Sequence, residues 1–196
     1  MSPAEPVLAA LVHYGLLLKQ DKVVLSVVGI LTGESLRTSW WSHPKAHLIF
    51  AVLSELADHS DVLSTKLLHR KDTLVHRSLW PAFLAVACAR EPWQFRGLSD
   101  SARSLLQRVD RCEGPVRTTG AAVKELEARL LTAAHEIHTE SGRHEMELES
   151  WHTWSVRVGC AAMQSIPHAR EVLEQAATML GAPLKALPWR ATSATV

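Results

Sequence analysis

The chain has 196 residues, 47% of them hydrophobic, and a formal net charge of +1. This is enough apolar chain for one large or two small cored domains, and it excludes the strong global basicity that marks many nucleic-acid binders, leaving only local clusters for such a role. No apolar run reaches the roughly 20 residues of a membrane helix, and the N-terminus lacks a basic leader and a small-residue cleavage site, which predicts a soluble, cytoplasmic protein with no membrane partner.

Pro6 to Leu18 reads as a first helix, carrying Leu8, Leu11, Leu16 and Leu18. Lys22 to Leu31 is expected to be a second, closed by Gly33, although Val23, Val24, Val27 and Val28 favour strand. Ser42 and His43 then precede Pro44, which suits a first helical turn because its missing N–H would have no partner there. A helix from Pro44 to Asp58 follows, with Ile49, Val52, Leu53 and Leu56 at core spacing. Val62 to Leu68 and Thr73 to Arg77 flank the polar His69-Arg70-Lys71-Asp72, a hairpin signal. Ser78 caps the next helix, with Trp80 and Pro81 in its first turn and Phe83, Leu84, Val86 and Ala87 to bury.

Helix then hairpin is the order of the last helix and wing in a winged-helix domain, a helix-turn-helix variant whose recognition helix can enter a major groove. Around this first device collect Arg37, Lys45, Lys66, Arg70, Lys71 and Arg77, a candidate phosphate-contacting set, with His47, His69 and His76 beside them. The same cations also suit a plain solvated surface. Trp40, Trp41, His43 and His76 form a candidate base-stacking pocket, set against tryptophans that simply plug the space beside the helix.

Residues 91 to 98, with Pro92 and Gly97, read as a linker, and Asp100 to Asp110 as a helix broken by Gly114 and Pro115. A degraded second copy follows. Val116-Arg117-Thr118-Thr119 echoes Leu36-Arg37-Thr38-Ser39, Ala122-Val123 echoes Ala51-Val52, and Ser150-Trp151 echoes Leu79-Trp80. The copy comprises a helix Thr119 to Leu131, a strand at His135 to Thr139, a turn at Glu140 to Arg143, and an acidic strand His144 to Glu149 with Ile137, Met146 and Leu148 facing in. Trp151 and Trp154 open a helix sending Val156, Val158, Ala161 and Met163 to the core; Pro167 starts another, ended by Gly181. In the tail, Leu184, Leu187 and Trp189 are available to fold back, and the last seven residues are expected to be disordered.

Chemistry is sparsely signalled. Cys88, Cys112 and Cys160 are odd in number and widely spaced, which fits buried reduced thiols better than a disulfide framework. His135, His138, His144 and His152, with Glu136 and Glu140, tempt a search for zinc, but HEIH is not HExxH, and on a strand His135 and His138 face opposite ways. A cross-strand pair of His138 with Glu147 is one possible register. There is no nucleophile elbow, phosphate loop or dinucleotide fingerprint, so no catalytic residue, metal or cofactor is assigned.

At SWWSHPKAH, VHRSLWP and HTESGRHEMELESW the chain resembles a group of bacterial proteins of uncharacterised function that carry similar motifs. In architecture it is similar to tandem winged-helix proteins, among them DNA glycosylases and subunits of bacterial chromosome-condensation complexes that bind protein. The glycosylases' Gln-x-Asp motif is not evident, because Gln20 is followed directly by Asp21.

The expected class is therefore mainly α with two β-hairpins: winged-helix modules at 1–92 and 98–165, then a C-terminal helix and tail at 166–196. The preferred function is non-catalytic binding of double-stranded DNA through the first module. The alternatives are a scaffold for a protein partner or homodimer, favoured by near-neutral charge and the acidic second hairpin, and a nucleobase-processing enzyme built around Trp40 and Trp41.

Overall fold

The computed structural model describes residues 2–138 and 144–191; the turn expected at residues 140–143 and the end of the tail lie outside the described residues. About half of the chain is helical, and two three-stranded antiparallel sheets make it mixed α/β rather than mainly α with two hairpins. The chain divides into two compact units, one of Met1–Trp80 with Glu171–Val196 and one of Pro81–Arg170.

The first unit runs α1 (Glu5–Tyr14), β1 (Leu16–Leu18), α2 (Val27–Thr32), α3 (Ala46–Ala57), β2 (Val62–Thr65) and β3 (Thr73–His76), with sheet order β1-β3-β2. The expected helix over Pro6 to Leu18 is thus corrected to a helix and a strand. Gly15, at φ 75°, stops α1, and a Cβ there would meet Leu79 Cδ1 at 2.6 Å, so glycine is required both for conformation and for space. Beyond it Leu16, Leu17 and Leu18 pair with Val75, Leu74 and Thr73 and are all fully buried.

The second helix is also shorter than expected. Asp21 Oδ1 accepts from the N–H groups of Val23 (2.8 Å) and Val24 (3.0 Å), which turns the chain before helix can form. Ser26 Oγ then caps α2 by accepting from Gly29 N–H, and Gly33 ends it at φ 82°. In α3 the apolar spacing holds: Ile49, Val52 and Leu56 are buried, and Ile49 clusters with Val28 and Trp40.

β2 ends at Thr65, short of the expected Leu68. Thr73 Oγ1 accepts from Leu68 N–H at 3.0 Å and donates to the Lys71 carbonyl at 3.0 Å, folding the connection inward so that Leu67 and Leu68 are fully buried. His69 and Arg70 adopt left-handed φ of 53° and 57°, and His69 N–H donates to the carbonyl of Ala186. The C-terminal segment does fold back, with Ala186 and Leu187 buried and Glu174 holding both Trp189 Nε1 and the Arg190 guanidinium.

The second unit contains the rest of α4 (Trp80–Ala87), then α5 (Pro92–Phe95), α6 (Asp100–Arg111), β4 (Val116–Thr118), α7 (Ala121–Ala128), β5 (Ala133–His138), β6 (His144–Glu149) and α8 (Trp151–Val158). The start of α9 (Ile166–Met179) also lies in it. Its sheet order is β4-β6-β5, the arrangement of the first sheet. Leu105, Leu106, Val109, Val123, Leu126 and Leu148 share one core.

The expected linker contains α5, whose ends are tied by a reciprocal cap between Glu91 and Gln94. Gln94 is fully buried: its amide NH2 donates to the carbonyl of Ala87 at 2.9 Å and reaches those of Arg129 and Leu130, while its oxygen accepts from Glu91 N–H.

The strand register corrects two side-chain assignments. Met146 lies opposite Glu136 and Leu148 opposite Ala134, whereas Ile137 lies opposite Glu145, so Ile137 is on the other face from Met146 and Leu148. His135, not His138, is the partner of Glu147. In α8 Val156 is 68% exposed, and beyond the Gly159 stop at φ 65° Ala161 is exposed too, so neither is core.

Both opening tryptophans are buried but anchored differently. Trp80 Nε1–H donates to Val75 in β3, whereas Trp151 Nε1–H donates to Leu130, ahead of β5.

Candidate nucleic-acid interface

Two places on the first unit gather exposed cations. One is the approach to α3: Arg37 and Lys45 are exposed, with the exposed His47 beside them, and the N-cap of the twelve-residue α3 makes no side-chain hydrogen bond to the helix. Lys45 Nζ donates to the Leu31 carbonyl at 2.9 Å, an uncharged partner that leaves its charge uncompensated. Among the described residues Arg37 has no ion pair.

The other place is the β2–β3 connection, where the chemistry differs. Lys66 pairs with Asp72, and Lys71 Nζ lies 2.7 Å from Asp21 Oδ2. Arg77 Nη1 lies 2.8 Å from Asp61 Oδ1, and its guanidinium also sits 5.9 Å from the Trp80 ring centroid. Of the cations in this stretch only Arg70, at the exposed tip, has no acidic partner among the described residues. A cation already matched by a carboxylate contributes little net field and must break or share that pair to meet phosphate.

Burial alone would raise the Asp21 carboxyl pKa, but the Lys71 ammonium and the Val24 and Val23 N–H groups outweigh it and hold the value at about 2. That carboxylate therefore stays ionised, and Lys71 stays paired.

The four aromatic and imidazole residues are not gathered into one pocket. Trp40, 6% exposed, is core; Trp41 stacks on its outer face with centroids 4.0 Å apart, and is itself 63% exposed. His43 Nε2 is 3.1 Å from Glu34 Oε1, and its Nδ1 accepts from Lys45 N–H, so it locks the entry to α3. His76 is elsewhere. Its Nδ1 is 2.9 Å from Ser78 Oγ, and its charged neighbours are Asp61, Arg77 and His59, at the far end of α3 from His43. A twelve-residue helix is about 18 Å long, so one flat base cannot touch both ends. Burial pushes the His76 imidazole pKa down, with Asp61 opposing.

In place of His76 the structure adds Phe50, 53% exposed on α3, with its ring 5.8 Å from that of Trp41. The sequence contained a signal for it. Phe50 falls outside the stripe of Ile49, Val52, Leu53 and Leu56, and an aromatic on the solvent side of an amphipathic helix is unexplained by packing. The resulting group is two exposed aromatic side chains, Trp41 and Phe50, with the exposed Arg37 and Lys45 on the same approach to α3.

Among the described residues no group of three or more His, Cys, Asp and Glu is placed to hold a metal, and no helix is long and apolar enough to cross a membrane. The chain matches none of the family models, curated proteins or solved structures with which it was compared.

Proposed function

We propose that the chain is a tandem winged-helix protein that binds DNA without catalysis, through the N-terminal end of α3 in the first of two modules, 1–92 and 98–165. What supports the architecture is the order helix, strand, two helices, two strands in Glu5–His76 with sheet order β1-β3-β2, together with the same sheet order in the second copy, which has one helix fewer. In such modules the N-terminal residues of the second helix-turn-helix element approach the bases.

One observation carries the function: uncompensated cations and exposed aromatic faces occur together at that end of α3. Arg37 and Lys45 supply contacts to phosphate, and Trp41 and Phe50 supply stacking surface that every base can use. Arg70 extends the basic footprint to the hairpin tip, whereas Lys66, Lys71 and Arg77 hold the hairpin in place. The test is binding of labelled duplex and single-stranded DNA by Arg37→Ala/Lys45→Ala and by Trp41→Ala. The first variant loses affinity for both forms, and the second loses more for single strands.

A second reading, a protein-docking face, has its own support. Between Ala46 and Ala57 the helix carries no lysine or arginine and exposes Phe50 and Ala51. In that case removal of Phe50 weakens partner binding while no form of DNA binds.

A further inference from the structure

Cys88 and Cys112 are far apart in sequence, yet both line one half-open cleft of about 410 Å³ in the second unit. Cys88 follows the last turn of α4, and Cys112 is the C-terminal cap of α6. On the same cleft the Arg90 guanidinium lies 2.7 Å from Asp110 Oδ1, joining the chain after α4 to the end of α6, and the start of α8, with Trp151 and His152, also lines it. Both cysteines are exposed to solvent, which corrects the expectation of buried reduced thiols at these two positions.

Two of the chain's three cysteines therefore share a single solvent-open cavity, each on the residue that follows the end of a helix. We propose that this cleft is a dithiol site that hydroperoxides oxidise to a Cys88–Cys112 disulfide.

The roles follow from the surroundings. Local desolvation of the thiol pushes the Cys88 pKa up, with Arg90 opposing, so Cys88 is the poorer first nucleophile. The Cys112 thiolate attacks the peroxide; the O–O bond breaks, water or an alcohol leaves, and Cys112 becomes a sulfenic acid. The Cys88 sulfur then attacks the Cys112 sulfur, a second water departs with the Cys88 proton, and the S–S bond forms. Two thiols are oxidised by two electrons and one peroxide is reduced. Because the bond requires Cα atoms about 4.4–6.8 Å apart, oxidation fixes the separation of the ends of α4 and α6 across the cleft.

The test uses the full chain, reduced and then exposed to hydrogen peroxide, alkylated and digested without reductant. The expected product is an intrachain peptide pair joining Cys88 to Cys112, formed equally in Cys160→Ser. In Cys88→Ser, Cys112 is trapped as a sulfenic acid by dimedone; in Cys112→Ser, Cys88 stays alkylatable at the same dose. Alkylation of both thiols after peroxide, linkage only between chains, or oxidation of each cysteine to an unlinked acid overturns the proposal.

Discussion

Lys71 Nζ meets Asp21 Oδ2 at 2.7 Å, and the other oxygen of the same carboxylate receives the N–H groups of Val23 and Val24. One side chain thus fastens the β2–β3 connection to the turn that delays α2. The ionised form is the one that is held, with a pKa of about 2 against an ordinary 3.8. A carboxyl lowered on folding stabilises the protein above its unfolded pKa, and that contribution disappears as pH falls through the folded value. Asp21→Asn is expected to cost about 2 kcal/mol at pH 7, and the gap from wild type should close between about pH 4 and pH 2. Urea unfolding at a series of pH values measures this; a gap independent of pH contradicts it.

Trp80 is 4% exposed and its indole N–H donates to Val75, so truncation removes both a large packed surface and a hydrogen bond. Trp80→Ala should lose on the order of 3–5 kcal/mol. Trp80→Phe, which keeps much of the packing but leaves the Val75 carbonyl without this donor, should lose less. Calorimetric melting of the two variants gives the order, and a wild-type melting curve for the alanine variant would contradict the burial.

Gln94 serves the second unit in a comparable way, but with polar chemistry. Its amide satisfies the carbonyl of Ala87 and reaches those of Arg129 and Leu130 from a fully buried position. Gln94→Leu conserves volume roughly but takes the side-chain donor from the Ala87 carbonyl, at about 1–3 kcal/mol for a buried group left unpaired, while Leu130 keeps its bond from Trp151. Amide hydrogen exchange should report loosening at the end of α4 and around Leu130, rather than a uniform change.

Removing an already paired cation should matter far less to DNA than removing an unpaired one. Lys66→Ala is expected to leave affinity nearly unchanged, whereas Arg70→Ala lowers it, in side-by-side titrations at one salt concentration. The reverse order would place phosphate on the hairpin stem.

The helices and hairpins were legible wherever periodicity and punctuation agreed. Ile49, Val52 and Leu56 placed α3, and the Gly33 and Gly181 stops fell where expected. The third strand of each sheet was not legible: Leu16–Leu18 is an apolar run too short to distinguish strand from helix, and only Gly15 at positive φ separates them. Side-chain pairing was also hidden. Asp21 lies fifty residues from Lys71, so the cations read as a free cluster although half of them, Lys66, Lys71 and Arg77, are matched by acids. Ile137 was misplaced because the register, which sets the face, depends on a turn whose length the sequence does not fix.

The most direct test is fluorescence anisotropy of a labelled duplex titrated with the protein across a salt series from about 50 mM upward. Binding through uncompensated Arg37 and Lys45 predicts that affinity falls linearly on logarithmic axes and that Arg37→Ala/Lys45→Ala flattens the slope by about two units, similarly for every sequence. Absence of wild-type binding at the lowest salt, or a slope unchanged in the double variant, contradicts it.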